Sequence, residues 1–309
     1  MAAIDTTGPD RLGAPVKWTT DLSRFVTSPH CRDLFVIACA AIGLLVVFVT
    51  VHPSLDSGTV AAVVAGVFGV CAWAFQCANL RFGAADIFAS EIVTLCRIFA
   101  VVDFIPHLVD SYKHEGERIR PNHSTQDYVV IFHNNSRDLE ILDGAVVTWV
   151  TEFYVYFKAL LDNLSRLPAS ENEGVYRAAL RSTIYMAFLA VESGRQALAR
   201  LVDDKSRRYE AVLTAMLSEI PAYLLLREAY AAAPPSDIRK QRIEGRLKPY
   251  QELMLTVKAL AEAPVGVAPR SARIQELAAQ VLNCWINGMA ALTHPTQPTE
   301  PTSVASKAA

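Results

Sequence analysis

The chain is poor in charge and in recognisable chemistry. Only 19% of its 309 residues are Asp, Glu, Lys or Arg, and 29 basic groups stand against 31 acidic ones, so no global field draws it to nucleic acid. Glycine and proline number 14 and 16, too few for a collagen-like repeat or a generally disordered chain. No GxxxxGK phosphate loop, GxGxxG turn, HExxH pair, GxSxG nucleophile elbow or ExxH pair of a di-iron bundle occurs. These absences remove the common reasons for proposing an enzyme, and no catalytic residue, metal or cofactor is assigned. The six cysteines include no CxxC. Cys39, Cys71 and Cys77 lie in apolar runs, with Cys31, Cys96 and Cys284 outside them, which reads as reduced thiols rather than a disulfide framework.

Apolar residues, by contrast, make up 52% of the chain, and the mean hydropathy is +0.24. The excess is concentrated near the N-terminus. Leu34–Val51 is an uncharged run of 18 residues, and a second uncharged run extends from Thr59 to Leu80. As helices rising about 1.5 Å per residue, each is long enough to cross a hydrocarbon layer about 30 Å thick. The connection HPSLDSG is too short for anything but an antiparallel pair, so a transmembrane hairpin over residues 34–80 is expected. A cleavable signal peptide fits less well, because the first run begins only after 33 mixed-charge residues.

Arg11, Lys17, Arg24 and Arg32 precede the hairpin, no Lys or Arg lies in its loop, and Arg81 and Arg97 follow it. The positive-inside rule then puts both termini in the cytoplasm of a bacterial-type inner (plasma) membrane, with residues 1–33 as a cytoplasmic N-terminal segment. In the second run Ala62, Gly66 and Gly69, with Ala61 and Ala65, are candidate helix-packing positions that permit close backbone approach. They serve either the hairpin itself, with Cys39 and Gly43 opposite, or contact with another copy.

Residues 81–292 are expected to form an all-α cytoplasmic domain, a bundle of about six helices. Phe82–Ile105 is apolar with a polar stripe at Asp86, Ser90, Thr94 and Arg97; with Glu91 and Asp103 it is too charged for a third span and should continue the second. Pro106 marks a break, and His107–His123 reads as polar and irregular. The motif STQD at Ser124 is a helix start. From it Tyr128, Phe132, Asn135, Leu139, Leu142, Val146, Trp149, Phe153, Phe157, Leu160 and Leu164 recur at spacings of three and four, a coiled-coil-like seam on one long helix ending before Pro168, which Gly144 could divide. Asn135 on that seam either fixes register or marks a helix boundary. Further stripes run through Tyr176–Leu201, through Tyr209–Ile220 to an interruption or kink at Pro221, and through Ile274–Leu292. Ser236 and Asp237 can restart a helix after Pro234 and Pro235. Residues 263–269 are a linker, and the tail of residues 293–309 lacks core formers and should be disordered.

Two clusters invite a sharper reading. His107, His114, His123 and His133, with Asp103 and Asp110, could bind a metal, but Pro106 disrupts the helix that spacing assumes and solvated histidines near the membrane surface are the simpler reading. Arg239, Lys240, Arg242, Arg246 and Lys248 form a basic cluster that either contacts anionic lipid, at about 1 kcal/mol per residue, or is an ordinary solvated face; it lacks the interleaved aromatics that nucleic acid would need. Trp149, Phe153 and Phe157 read as core, with Tyr154 and Tyr156 able to place hydroxyls between helices. The expected function is a membrane-anchored helical interaction protein (scaffold, sensor or accessory subunit) with the lipid bilayer and a homo-oligomer or a protein partner as its contacts. The alternative is an oligomeric channel-like or membrane-disrupting effector, and an enzyme comes third.

Overall fold

The computed structural model describes residues 25, 26, 28, 31–52, 56–114, 132, 135–167, 172–262 and 269–293. No strand occurs among them. The α-helices, in order, are α1 (Arg32–Val51), α2 (Ser57–Val101), α3 (Phe104–Lys113), α4 (Gly144–Arg166), α5 (Glu173–Leu201), α6 (Lys205–Ala229), α7 (Ile238–Glu244), α8 (Leu247–Glu262) and α9 (Pro269–Thr293), with a 3-10 helix at Ser136–Ile141. The chain divides into two units, Met1–Ala84 and Ala85–Ala309, the boundary falling inside α2.

In the first unit Asp56 caps α2, accepting from Thr59 N at 3.0 Å and from Thr59 Oγ1 at 2.6 Å. The two helices share an apolar cluster in which Leu34 and Ala38 of α1 are buried with Ala74, Ala78 and Phe82 of α2. At the same level Arg81 Nη1 donates to Asp33 Oδ1 at 2.7 Å. Ala62, Gly66 and Gly69 are exposed, and a Cβ added at Gly66, Gly69 or Gly43 would meet nothing within 4 Å. The described contact between α1 and α2 runs through Leu34, Ala38, Ala74 and Ala78.

Among the described residues three helices are long and apolar enough to cross a membrane: α1, α2 and, beyond the two expected from the sequence, α6. Their surroundings separate them. Only 11% and 6% of the most apolar windows of α1 and α2 are buried, against 67% for α6, whose apolar character belongs to a protein interior.

The second unit is organised around α5. From Thr183 to Arg195 all but Met186 are buried, so this helix meets protein on all sides. It packs on α4, α6 and α3; α6 in turn meets α3, α7 and α9, and α9 meets α8. At Gly194 α5 lies close to its neighbours, since a Cβ there would lie 2.8 Å from Phe153 Cδ2 and 3.3 Å from Ile92 Cγ2.

Several local expectations change. The helix expected over Phe82–Ile105 does continue α2 but stops at Val101, and Asp103 sits in the left-handed region at φ 47°. The Pro106 ring would clash with the Val102 carbonyl four residues back, so the break precedes the proline, which then occupies the first turn of α3. His107–Lys113, expected to be irregular, is helical because Ile105, Leu108 and Val109 give α3 a buried face. The single long helix ending before Pro168 is not continuous: the 3-10 helix ends at Ile141 and Asp143 caps α4, its side chain accepting from Ala145 N at 2.8 Å. Gly144 does mark the division, and Asn135 immediately precedes the 3-10 helix. Pro221 lies within an unbroken α6, and Asp237 caps α7 as expected, accepting from Arg239 N at 2.7 Å. The start at Ser124, the histidines at 123 and 133, Arg11, Lys17, Arg24, the 263–268 linker and the tail after Thr293 lie outside the described residues.

Gly194→Ala is expected to destabilise the chain despite alanine's better helix propensity, since overpacking costs about 1–3 kcal/mol. Gly144→Ala, with nothing within 4 Å, should be neutral or stabilising. Thermal unfolding of the detergent-solubilised chain, followed by circular dichroism, checks the contrast.

Candidate functional site

A charge pair interrupts the otherwise uncharged stretch from Ile184 to Leu198: Glu192 and Arg195, one turn apart on α5. Both are buried. Arg195 Nε donates to Glu219 Oε2 at 2.6 Å and Arg195 Nη2 to Glu219 Oε1 at 3.2 Å, a two-point contact with a fully buried carboxylate of α6. Glu192 pairs with Arg246, which lies between α7 and α8. Ser193 Oγ donates to Glu152 Oε2 at 3.3 Å on α4. Above these pairs opens a cleft of about 660 Å³ between α5, α7 and α8, bordered by Gln196, Gln241, Arg242, Tyr250, Glu252 and Thr256.

Burying charges costs several kcal/mol each unless partners restore what water supplied. Burial by itself lowers the Arg195 pKa, but the Glu219 charge outweighs it and the guanidinium stays well above its ordinary value. Burial lowers that of Arg246, with nearby tyrosines and Glu152 opposing. Tyr250 is pushed well above the ordinary phenol value, by burial first and then by the Glu219 charge. Its ring stacks on Tyr223 at 4.8 Å and on Trp285 at 5.7 Å, with Arg195 over its face at 5.7 Å. The cleft thus offers fixed cations, carboxylates and neutral donors. No histidine lines it, and no group of three or more His, Cys, Asp or Glu stands together for a metal among the described residues.

The basic cluster reaches this cleft from one side, and most of it is turned inward. Arg242 Nη1 donates to Tyr156 Oη at 3.2 Å, Arg239 Nη1 donates to Tyr230 Oη at 3.3 Å, and Arg239 stands over the Tyr185 ring at 5.8 Å. Lys240 Nζ donates to the carbonyls of Ala231 and Ala233 at 3.0 and 2.8 Å. Arg246 is taken by Glu192, and Lys248 is exposed. The tyrosines at 156, 185 and 230 come from α4, α5 and the end of α6, far apart in sequence.

A second polar node lies along the C-terminal half of α2. Tyr154 Oη donates to Glu91, which also accepts from Phe132 N at 3.2 Å, and the Phe132 ring stacks on Tyr154 at 4.0 Å. Burial, then Glu91, raises the Tyr154 pKa. The polar stripe Asp86, Ser90, Thr94 and Arg97 borders a cavity of about 480 Å³ with Arg207 and Glu210 of α6. Phe153 and Phe157 are core, as expected, whereas Trp149 is half-buried under Arg200. Glu192, Arg195 and Glu219 were absent from the sequence-based candidates; their signal was two opposite charges one turn apart within an apolar run.

Compared with known proteins, the chain matches no family model, no curated protein and no solved structure.

Removing one member of the Arg195–Glu219 pair strands the other. Arg195→Met or Glu219→Gln alone should each cost about 3–5 kcal/mol, and Arg195→Met with Glu219→Leu less than either; thermal unfolding of the four forms checks this. Tyr154 and Tyr250 keep their protons in the fold while an unfolded tyrosine releases its own near pH 10. The stability they contribute is therefore present below that pH and lost above it. An unfolding midpoint that falls between pH 9 and 11 (about one unit either side of that value), and falls less in Tyr154→Phe with Tyr250→Phe, is the expected result.

Proposed function

We propose that the chain is a membrane-anchored helical interaction protein: a hairpin of α1 and the first half of α2 holds a cytoplasmic helical bundle at the inner face of a bacterial-type plasma membrane. The observation that carries this is the exposure of large apolar side chains along both helices, Leu44 at 71% and Phe68 at 70% among them. A surface of this extent needs lipid or another chain to cover it. The absence of Lys and Arg from the short α1–α2 connection and their presence on both flanks support cytoplasmic termini. A site of paired charges without a nucleophile–histidine arrangement favours binding over turnover, and the bundle then acts through contacts with copies of itself or with another protein.

The second reading, an oligomeric channel-like or membrane-disrupting effector, draws on Ala62, Gly66 and Gly69, which lie open on α2. Lys240, Arg242 and Arg246 of the basic cluster are half-buried and lend a lipid contact little support, whereas Arg239 and Lys248 are exposed and are the members placed for one.

Crosslinking in native membranes, through a tag on the C-terminal tail, tests the proposal. The chain should resist carbonate extraction and be captured with itself or with one dominant partner. Extraction into the soluble fraction would refute anchoring, and an absence of crosslinked species would refute the interaction role. Vesicle leak abolished by Gly66→Leu with Gly69→Leu would establish the effector reading instead.

A further inference from the structure

Residues of α3, α5, α6 and α9 line a half-open cavity of about 710 Å³, within the roughly 300–1,000 Å³ of small-molecule sites. Its polarity is graded. Val109, Leu224 and Leu225, which form part of the wall, are buried, whereas Lys113 and Glu228 at the rim are exposed and Arg177 is half-buried. Arg177 Nη2 donates to the Tyr112 carbonyl at 3.0 Å and its guanidinium stands over the Tyr112 ring at 5.2 Å. That contact brings Arg177 beside Lys113 at the C-terminal end of α3. Pro221, Cys284 and Gly288 complete the apolar wall.

From this geometry we infer that the cavity binds a single-chain amphiphile with an anionic head, such as a long-chain carboxylate, its tail against Leu224, Leu225 and Val109 and its head at Lys113 and Arg177. Among the lining residues two cations stand against the one carboxylate of Glu228, an excess of positive charge that favours an anionic head over a neutral or cationic one. Neither the apolar wall nor the charged rim suffices alone: chain burial and the pairing of the head with Lys113 and Arg177 together hold the ligand. The inference rests on unit Ala85–Ala309 and does not depend on how α1 and α2 meet a membrane.

Cys284 reports occupancy, because it lines the cavity and is a free thiol. The purified full chain, in phosphatidylcholine nanodiscs, is treated with N-ethylmaleimide, and alkylation of the Cys284 peptide is followed by mass spectrometry with oleate, oleyl alcohol, acetate or no addition. Oleate should slow alkylation in proportion to occupancy, about tenfold with nine sites in ten filled, while acetate and oleyl alcohol leave it near the untreated rate. Lys113→Glu, an exposed position whose exchange spares the core, should abolish most of the oleate protection with an unchanged circular dichroism spectrum. Equal rates in all four conditions would overturn the inference, and so would equal protection by oleyl alcohol and oleate, which would show a greasy cavity indifferent to charge. Protection that survives both Lys113→Glu and Arg177→Gln would overturn the placement of the head.

Discussion

The second unit depends on the burial of the middle of α5, Thr183–Arg195. A stretch of helix with almost no solvent face can place a charge only where a neighbour answers it, and Arg195 is answered by Glu219 through two contacts, of 2.6 and 3.2 Å. That requirement fixes α6 against α5 in one register. Arg246 repeats the logic from the α7–α8 corner by pairing with Glu192. Gly194, between the two charged residues, lets the Phe153 ring of α4 and Ile92 of α2 come close. Packing and electrostatics meet within four residues of one helix, and the cleft opens beside them.

Polar groups elsewhere follow the same economy. Arg177 satisfies a terminal carbonyl of α3 that no intrahelical N–H reaches, and Lys240 does the same for the turn after α6. Tyrosine hydroxyls at 156 and 230 receive the guanidiniums of α7. A basic run that resembles a lipid-contact face in one dimension is largely absorbed by a bundle that supplies acceptors and aromatic rings. The first unit has little of this chemistry beyond Arg81 with Asp33 at one end of its apolar cluster, and its long apolar surfaces are left for lipid or another chain.

Much of the helical architecture was legible because it follows from local rules. Apolar spacing of three and four, the cap at Asp237 and the division at Gly144 are short-range features, and the helices form where those signals lie. What misled was also local. Leu139 and Leu142 continue the spacing of α4, yet the chain breaks between them and Val146 because the 3-10 turn and the Asp143 cap close the backbone differently. The run His107–Lys113 looked irregular because its apolar residues are few, yet Leu108 and Val109, with Ile105 just before the run, form a buried face.

The sequence by itself determined that the chain is helical, that two uncharged runs of spanning length stand near its N-terminus, and that no familiar catalytic motif is present; each follows from composition and from spacings within a few turns. Only the tertiary structure decided that α6, apolar enough to cross a membrane, is two-thirds buried in its most apolar window, that Ala62, Gly66 and Gly69 stand apart from the α1–α2 contact, and that Glu192, Arg195, Glu219 and Arg246 share one site. The physical reason is range: a side chain's partners across a bundle are set by which helices meet, and residues 24 to 54 positions apart carry no mark of meeting until packing brings them together.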